Sequence, residues 1–384
     1  MLVPLSNTPR DYAWGSTTLL ADLEGRKATD VREAEVWFGD HSGSPARTAD
    51  GRTLDQWLAD PPAGASVPAR LPYLLKLLAA ASPLSIQAHP SLAQAALGFA
   101  REEAAGIPVD APERTYRDAN HKPELIVAVS DRFEALAGLR PLDASLRLLA
   151  AIGPAADPLA ERLRGAGDSP VAAIAWLLST DAAADVAAII DAARRAESAE
   201  FGAELALARS IDAQYPGDAG IVVALLMNLI TLRKGEGLFL PAGVLHAYLS
   251  GLGVELMAAS DNVLRGGLTP KHVDVDELLV VLTPETGVPP VVRGSHVSEG
   301  VRRYEVPVDD FALLVAQSSL GASAALPVTG LAIAVATEGS PTVIGARSGE
   351  RHTLTPGSAL LVTQDERELL VEGDGVVFLA SPGR

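Results

Sequence analysis

A long alanine-rich helical stretch divides the chain and limits the folds open to it. Between Pro141 and Tyr215 apolar residues recur every three or four positions, as is typical of helices; one such set is Val186, Ile189, Ile190 and Ala193. Pro216-Gly217-Asp218 ends this pattern. The flanking parts contain short apolar strings of strand length, among them Gly237–Leu240, Leu331–Val335 and Val376–Ala380. This order predicts a mainly β protein with a helical insertion.

The same changes between helical and strand-like residue patterns predict the domain boundaries. A chain of 384 residues is long enough for two or three domains. We expect residues 1–141 and 216–288 to form one discontinuous β domain, residues 142–215 the helical insertion, and residues 289–384 a second β domain. Ser169-Pro170 predicts a helix N-cap followed by a proline in the first turn. Gly373-Asp374-Gly375 predicts a hairpin between the strings Glu368–Val371 and Val376–Ala380.

Composition excludes several classes of protein. Hydrophobic residues make up 48% of the chain and charged residues 21%, which excludes an intrinsically disordered protein. The absence of cysteine excludes disulfide scaffolds, thiolate metal sites and cysteine nucleophiles. The longest apolar run, Gly220–Ile230, falls short of the ~18 residues of a membrane span, and the first residues lack the pattern of a secretory signal. We therefore expect a cytoplasmic protein that does not bind a membrane.

The charge balance bears on the partners. Lys and Arg number 31 against 48 Asp and Glu, which gives a net charge of −17. Binding to nucleic acid needs a basic surface, so nucleic acid is not expected as a partner. If the substrate is an anion, the cations that hold it must be few, local and specific, because the overall field repels it.

The string Ser85–Pro90 contains a first pair of candidate metal ligands. Gln87 and His89 are two residues apart and would face the same side of a strand. A glutamine oxygen beside an imidazole nitrogen could begin a metal site. Taken alone, such a pair is more often an ordinary polar pair on a strand.

A second string, Asn120–Glu124, places polar and charged residues directly before an apolar run. Pro123 favours an extended conformation of the residue before it, which would turn Lys122 and Glu124 the same way. Burying these groups is costly unless each is paired. The alternative is a solvated turn with a surface ion pair.

The most specific spacing begins at Gly235. Pro241-Ala242-Gly243 follows after five residues and His246 after two more, which is the spacing of the second signature motif of the cupin β barrels. In that resemblance Gln87 and His89 take the place of the histidine pair of the first cupin motif, and Glu124 that of a displaced carboxylate. Two imidazoles, one amide and one carboxylate suit zinc, although manganese, iron or cobalt would also fit. The resemblance predicts two barrels of cupin or jelly-roll type beside an α-helical domain.

Several isolated ionisable groups follow His246 along the chain: Tyr248, Glu255, Asp261, Arg265 and Lys271. Any one of them is explained as a surface residue. Their concentration beside a candidate metal ligand favours a functional site.

Taken together, these strings resemble the zinc-dependent type I mannose-6-phosphate isomerases (phosphomannose isomerases) of the cupin superfamily. The matching strings follow the family's order from residue 12 to residue 271. They are Tyr12–Ser16, Glu35–His41, Leu84–Pro90, Asn120–Glu124, Leu240–Tyr248 and Asn262–Lys271. The carboxy-terminal third of the chain contains no matching string.

The resemblance implies one zinc ion per chain, held by Gln87, His89, Glu124 and His246. It implies the reversible conversion of mannose 6-phosphate and fructose 6-phosphate, with Arg265 in the active site. It also implies a substrate pocket lined by Ser85, Lys76 and Lys122. The groups expected to hold the phosphate are Arg265, Lys76 and Ser85. Further residues expected to contact the sugar phosphate are Trp14, Tyr248, Asp261 and Lys271.

Aldose–ketose isomerisation moves a proton between adjacent carbons through an enediol or enediolate. The reaction needs a base near both carbons and a group that stabilises negative charge on the oxygens. A metal can polarise those oxygens without redox chemistry. Glu255 is the preferred base, and Lys122 or His121 would assist proton transfer and ring opening. The sequence does not rank these three residues firmly.

Three other interpretations remain at this stage. An isomerase of the same fold could act on an unphosphorylated sugar. A non-catalytic protein with two cupin barrels could bind sugar or metal, although such a protein would be expected to lack part of the ligand or cation set found here. A metal-dependent dioxygenase usually has a site of histidines and carboxylates, so Gln87 counts against it. We expect a monomer.

Overall fold

The computed structural model describes residues 1–63, 67–165 and 170–383. Strands dominate both ends of the chain, and the named strands pair antiparallel wherever they meet. They are β1 (Leu2–Ser6), β2 (Glu35–Phe38), β3 (Arg47–Thr48), β4 (Tyr73–Ala80), β5 (Gln87–Ala88), β6 (Glu124–Ala128), β7 (Arg132–Leu139), β8 (Met227–Arg233), β9 (Glu236–Leu240), β10 (His246–Ala258), β11 (Leu264–Arg265), β12 (Val291–Arg293), β13 (Ser295–Ser298), β14 (Val301–Tyr304), β15 (Phe311–Ser318), β16 (Ser323–Pro327), β17 (Ala332–Gly339), β18 (Thr342–Gly345), β19 (Arg351–Thr353), β20 (Ala359–Val362), β21 (Glu368–Glu372) and β22 (Gly375–Pro382).

Helices concentrate between β7 and β8, where the alanine-rich pattern predicted them. The α-helices are α1 (Leu19–Leu23), α2 (Leu54–Ala59), α3 (Leu92–Ala104), α4 (Leu142–Ile152), α5 (Asp157–Gly165), α6 (Val171–Leu177), α7 (Ala183–Arg195), α8 (Gly202–Gln214), α9 (Gly220–Leu225) and α10 (Val275–Val281). The run of helices continues past residue 215 through α9, because the turn at Pro216–Asp218 separates α8 from α9 without ending the helical segment. In the described ranges no single helix has both the length and the apolarity to cross a membrane; only the bent pair Val171–Leu177 with Thr180–Arg195 reaches both when counted together.

The helical segment packs against the part of the sheet that carries the candidate ligands. The predicted face of α7, Val186, Ile189, Ile190 and Ala193, is almost fully buried. It shares one hydrophobic core with residues that alternate with site residues on the strands, including Ile86, Ala88, Leu245 and Leu264. The helices therefore form the rigid backing of β5, β10 and β11.

Strand β10 organises the sheet around the site. Its first residues, His246–Ser250, pair with β5 and β7, and the remainder, from Gly251, pairs with β4 and β6. Gly251 lies at this change of partners with a φ of 117°. A β-carbon there would lie 2.8 Å from Phe133 Cδ2 and 2.9 Å from the Arg132 carbonyl oxygen, so only glycine fits.

The carboxy-terminal strands form two sheets. One has the order β13-β14-β15-β22-β17-β20-β1-β3, and the other has the order β16-β21-β18-β19. Strand β1 therefore pairs with β20, although it lies at the opposite end of the chain. The predicted division of the chain did not include this pairing. Local residue patterns indicate secondary structure, but they do not indicate which distant strands pair.

One local prediction was wrong and one cannot be compared. The strings on either side of Gly373-Asp374 are strands, β21 and β22, but they do not form a hairpin. Strand β21 pairs with β16 and β18, whereas β22 pairs with β15 and β17. The turn at Gly373-Asp374-Gly375 therefore connects two different sheets. Turn residues of this kind permit such a connection as well as a hairpin. Ser169, the predicted N-cap, lies outside the described residues.

Candidate metal centre

Three side chains from separate strands meet at one buried point. His89 follows β5, Glu124 begins β6 and His246 begins β10. Their ligand atoms all lie within 4.8 Å of one another, and all three residues are buried. Nε2 of His89 lies 3.3 Å from one oxygen of Glu124, and Nε2 of His246 lies 3.2 Å from the other. A carboxylate between two imidazoles is a donor set that zinc accepts.

The backbone orients both imidazoles toward this point. Nδ1 of His89 is 2.7 Å from the Asn262 carbonyl oxygen, and Nδ1 of His246 is 3.0 Å from the Val244 carbonyl oxygen. Each ring donates its Nδ1–H to a carbonyl, which leaves Nε2 as the lone-pair nitrogen. Nε2 of His89 is buried and makes no hydrogen bond of good geometry to any described residue. An unsatisfied buried nitrogen beside a carboxylate fits a metal ligand.

The charge states also suit metal binding. Burial, outweighing the nearby Glu124, lowers the pKa of His89 to about 4, so its imidazole is neutral at neutral pH. Burial raises the pKa of Glu124, but the neighbouring groups, above all the charge of Lys122, outweigh this and hold the pKa well below its usual range. Nζ of Lys122 lies 3.1 Å from Glu124 Oε1. The two side chains therefore point the same way, as predicted from the extended conformation that Pro123 favours.

Gln87 is the remaining predicted ligand. It lies on β5 directly opposite His246 on one side and Arg265 on the other. It is partly buried, two residues before His89. This register places it beside the His–Glu–His group, and its role as a fourth ligand stays a prediction.

A second buried cluster lies on the adjoining part of β10. Glu255 pairs across the sheet with Lys76, whose Nζ lies 2.9 Å from Glu255 Oε2 and 3.6 Å from Glu35 Oε1. Trp37 donates its indole N–H to Glu35 at 2.7 Å, and Lys76 Nζ lies 5.1 Å from the Trp37 ring. Sequence reasoning gave Glu35 no role, although its alternation with Trp37 on one strand was a usable signal.

The ionisation of this cluster is set by burial and by neighbouring charges. Burial raises the pKa of Glu255, Lys76 opposes this, and the carboxylates of Glu124 and Glu35 add to it. Burial lowers the pKa of Lys76, but Glu255 and Glu35 outweigh this and raise it above its usual value. Burial and then Glu255 raise the pKa of the Tyr248 hydroxyl well above its usual range. Glu255 and Tyr248 thus interact electrostatically with Glu124 of the metal centre.

A group of cations lies beyond Gln87 on the same side of the sheet. The pKa of Arg265 is lowered by burial and by the neighbouring charge of Arg117. The pKa of Lys271 is lowered by burial and then by Arg265 and Arg117. None of these three side chains forms an ion pair with a carboxylate in the described part of the chain. Sequence reasoning did not select Arg117, because it lies just outside the string Asn120–Glu124.

The other predicted residues surround these groups in different ways. Asp261 accepts hydrogen bonds from Nε2 of His41 at 2.9 and 3.0 Å. Nε2 of His121 lies 2.9 and 3.0 Å from the two oxygens of Asp310, a residue of the carboxy-terminal part of the chain. Trp14 packs against the hydrophobic group that contains Tyr248. Ser85 is partly buried, two residues before Gln87.

The fold and the site together define a mononuclear metal centre with nitrogen and oxygen ligands on an antiparallel β sheet. A model of the phosphomannose isomerase type I catalytic domain matches residues 2–142. The chain is 35% identical to a mannose-6-phosphate isomerase of Salmonella typhimurium over 97% of both chains. It is 32% identical to the human enzyme over 81% of both chains. The chain belongs to the type I phosphomannose isomerase family.

Solved structures agree with this assignment. The Salmonella typhimurium mannose 6-phosphate isomerase bound to fructose 6-phosphate and zinc superposes with a TM-score of 0.89 at 33% identity, and the match covers 100% of both chains. A mannose 6-phosphate isomerase bound with zinc and yttrium superposes with a TM-score of 0.90. The mainly β fold with its helices is thus the fold of these enzymes.

Proposed function

We propose that this chain is a zinc-dependent mannose-6-phosphate isomerase, which interconverts mannose 6-phosphate and fructose 6-phosphate. The observation that carries the proposal is the buried group His89, Glu124 and His246 beside the buried pair Lys76–Glu255. It occurs in a chain that aligns with such isomerases over 97% of its length. Zinc held by His89, Glu124, His246 and Gln87 would polarise the substrate oxygens and orient the sugar.

Glu255 is the residue we assign as the base that moves the proton between C1 and C2. Burial raises its pKa, and a carboxylate in such a site is a stronger base than one in water. Lys76 holds it in place through the 2.9 Å ion pair. Because Nζ of Lys76 already contacts two carboxylates, its role fits the orientation of Glu255 better than the binding of phosphate.

Lys122 and His121 are the candidates for the second proton transfer and for ring opening. The ammonium of Lys122 contacts Glu124 and is available as a proton donor near the bound sugar. His121 is held by Asp310 through Nε2. The two residues are neighbours in the chain, and the choice between them stays open.

The phosphate of the substrate requires local cations in a chain of net charge −17. Screening limits attraction between exposed charges to about 8–10 Å at physiological salt. Arg265, Lys271 and Arg117 supply cations that form no ion pair with a carboxylate among the described residues. We assign the phosphate to this group. The sugar itself would contact Ser85, Tyr248, Asp261 and Trp14.

The architecture that goes with this function is a pair of cupin-type barrels and a helical domain. In it residues 1–141 and 216–288 form the catalytic barrel, 142–215 the helical domain and 289–384 the second barrel, with β1 contributing to the carboxy-terminal sheet. The pairings of β10 in the first sheet and of β15, β17, β20 and β22 in the second support the division into two barrels. The boundaries are less sharp than the sequence suggests, because α9 continues the helical segment past residue 215 and β12 pairs with β9 of the first sheet. We expect the enzyme to work as a monomer in the cytoplasm.

A coupled assay with mannose 6-phosphate, run with and without a chelator, tests the proposal. Purified protein should carry about one zinc per chain, and chelation should abolish isomerisation until zinc is restored. Mannose at the same concentration is the control substrate and should be converted far more slowly. Full activity after complete removal of metal would refute the zinc-dependent mechanism, and equal efficiency on mannose would refute the substrate assignment.

A further inference from the structure

Asn262 is completely buried, and every polar group it has is engaged. Its side-chain oxygen accepts from the backbone N–H groups of Arg117 and Asp118 at 2.7 and 3.3 Å. Its side-chain nitrogen donates to the carbonyl oxygens of Asp118 and Asn120, each at 2.8 Å. Its own N–H donates to Ser260 Oγ at 3.2 Å. Only an amide provides an acceptor and two donors on so short a side chain.

The backbone of the same residue holds a candidate metal ligand. The Asn262 carbonyl oxygen is the acceptor for Nδ1 of His89 at 2.7 Å. This contact fixes the tautomer and the ring orientation of His89, so that Nε2 faces Glu124. Asn262 therefore stands between His89 and the segment 117–120, which leads directly to His121, Lys122 and Glu124.

We propose that Asn262 is a positioning residue that couples the metal centre to the segment carrying Arg117 and the proton-transfer residues. The side-chain amide anchors the backbone at residue 262, and the anchored carbonyl aims His89. The same amide fixes the segment 117–120, so the cation Arg117 and the ligand Glu124 are held in register with His89. The inference rests on the proposed metal site and assigns a role to a residue that does not touch the metal.

The variant that tests this role is Asn262→Asp, which keeps the shape and replaces the donor NH2 by an oxygen facing carbonyl oxygens. Asn228→Asp is the matched control, because Asn228 is a buried asparagine whose amide also donates to backbone carbonyls, those of Ala137, Gly138 and Gly287 at 2.7–3.1 Å. Asn228 makes no hydrogen bond to a proposed ligand. Both substitutions place an aspartate oxygen against backbone carbonyl oxygens, but at different places in the fold.

Zinc affinity is measured by competition with a chelator, in the absence of substrate and on protein with native circular dichroism. We expect the zinc dissociation constant of Asn262→Asp to rise about 10- to 100-fold, the cost usual for a residue that orients a ligand, and that of Asn228→Asp to stay near the wild-type value. With zinc in excess, Asn262→Asp should regain metal but keep a reduced kcat, because the segment 117–120 remains displaced. Equal zinc constants for wild type and Asn262→Asp would overturn the proposal.

If Asn262→Asp does not fold, Ser260→Ala is the milder test. It removes only the hydroxyl that accepts the Asn262 N–H and donates to Asp118 Oδ1 at 2.9 Å. A smaller rise in the zinc constant is expected, and no rise would equally overturn the proposal. Because this measurement needs no substrate, it decides the role of Asn262 even if the wild-type protein fails to isomerise mannose 6-phosphate.

Discussion

The imidazoles at the metal centre differ from the other imidazoles that face a carboxylate in what their Nδ1 atoms contact. His89 and His246 donate Nδ1–H to backbone carbonyls and turn Nε2 toward Glu124. His41 and His121 also turn Nε2 toward carboxylates, at 2.9 Å in each case, but Nδ1 of His41 accepts the Gly43 N–H at 3.0 Å. A carbonyl is a neutral acceptor, so it fixes the tautomer that leaves Nε2 with a lone pair. The carbonyl at Nδ1, and not the carboxylate at Nε2, therefore distinguishes the candidate ligands.

Replacing His246 by alanine should remove both metal and activity. The change deletes one of the buried donors and leaves Glu124 facing an empty space, so we expect zinc affinity to fall by more than about 100-fold, beyond the cost of losing a supporting residue. Zinc content by atomic absorption and the mannose 6-phosphate assay check this. The control is His352→Ala on β19, which should retain both properties. A zinc-loaded, active His246→Ala protein would remove His246 from the ligand set.

Replacing Arg265 by lysine should lower turnover on mannose 6-phosphate by about 100-fold, the usual cost of a misplaced substrate. A lysine keeps the charge but cannot hold two oxygens with a planar fork. Zinc content and circular dichroism should be unchanged, because Arg265 touches the metal centre only through its strand neighbour Gln87. The matched control is Arg147→Lys, which changes an exposed arginine on α4, in the helical segment. Near-wild-type efficiency of Arg265→Lys would show that the guanidinium is not needed.

The site residues could be predicted from sequence where they lie in short strings, and not where their partners are distant. Gln87–His89, Lys122–Glu124 and His246 lie in such strings, whose spacing carried the prediction. Arg117 and Asp310 were missed because the effect of Arg117 on the pKa of Lys271 and the contact of Asp310 with His121 join distant positions of the chain. Asn262 was visible in a matching string, but its role depends on contacts that no spacing reveals.

At the scale of elements, periodicity predicted helices and strands well and their pairings poorly. The buried face of α7 and the strand strings near β9, β17 and β22 are where the pattern placed them. The turn after β21 shows the limit, since a reversal signal does not say which sheet the next strand joins. Strand β10 shows the same limit. It changes partners at Gly251, where Phe133, a residue far away in sequence, leaves room only for glycine.

An ion pair between α7 and α8 gives the helical segment a pH-dependent part of its stability. Arg194 contacts both oxygens of Asp212 at 2.6 and 3.0 Å, and this hydrogen-bonded pairing lowers the pKa of Asp212. A lowered carboxyl pKa stabilises the fold above the unfolded value of about 3.9, and the effect is lost as pH falls through the folded pKa.

Asp212→Asn should therefore destabilise the protein at neutral pH and not in acid. At pH 7 we expect a loss of about 1 kcal/mol, seen as a lower urea midpoint by circular dichroism. The difference from wild type should shrink as the pH falls below about 4. Glu161→Gln on α5, an exposed acid, is the control and should change little at either pH. A difference that stays constant with pH would mean that packing, and not the ion pair, is responsible.

At the scale of the whole molecule, the carboxy-terminal part of the chain contacts a proposed site residue, His121, although it contains no family string. It packs against the first β sheet through one shared core that includes Leu75, Val127, Leu313 and Phe378. Tyr73 donates its buried hydroxyl to the Leu331 carbonyl oxygen at 3.0 Å, which adds a polar tie between the two parts. This contact brings Asp310, just before β15, to the loop that contains His121.

Asp310→Asn should lower kcat without removing zinc. Both oxygens of Asp310 lie 2.9–3.0 Å from Nε2 of His121, so the carboxylate fixes the orientation of the ring. A positioned proton-transfer group contributes about 10²–10⁴-fold, and a ring that loses its orientation should forfeit about 10-fold or more of this. We expect zinc content and KM to change little while kcat falls. Asp309→Asn, the exposed neighbour, is the control. An unaltered kcat in Asp310→Asn would mean that the carboxy-terminal sheet supports the fold of the site but not its proton transfer.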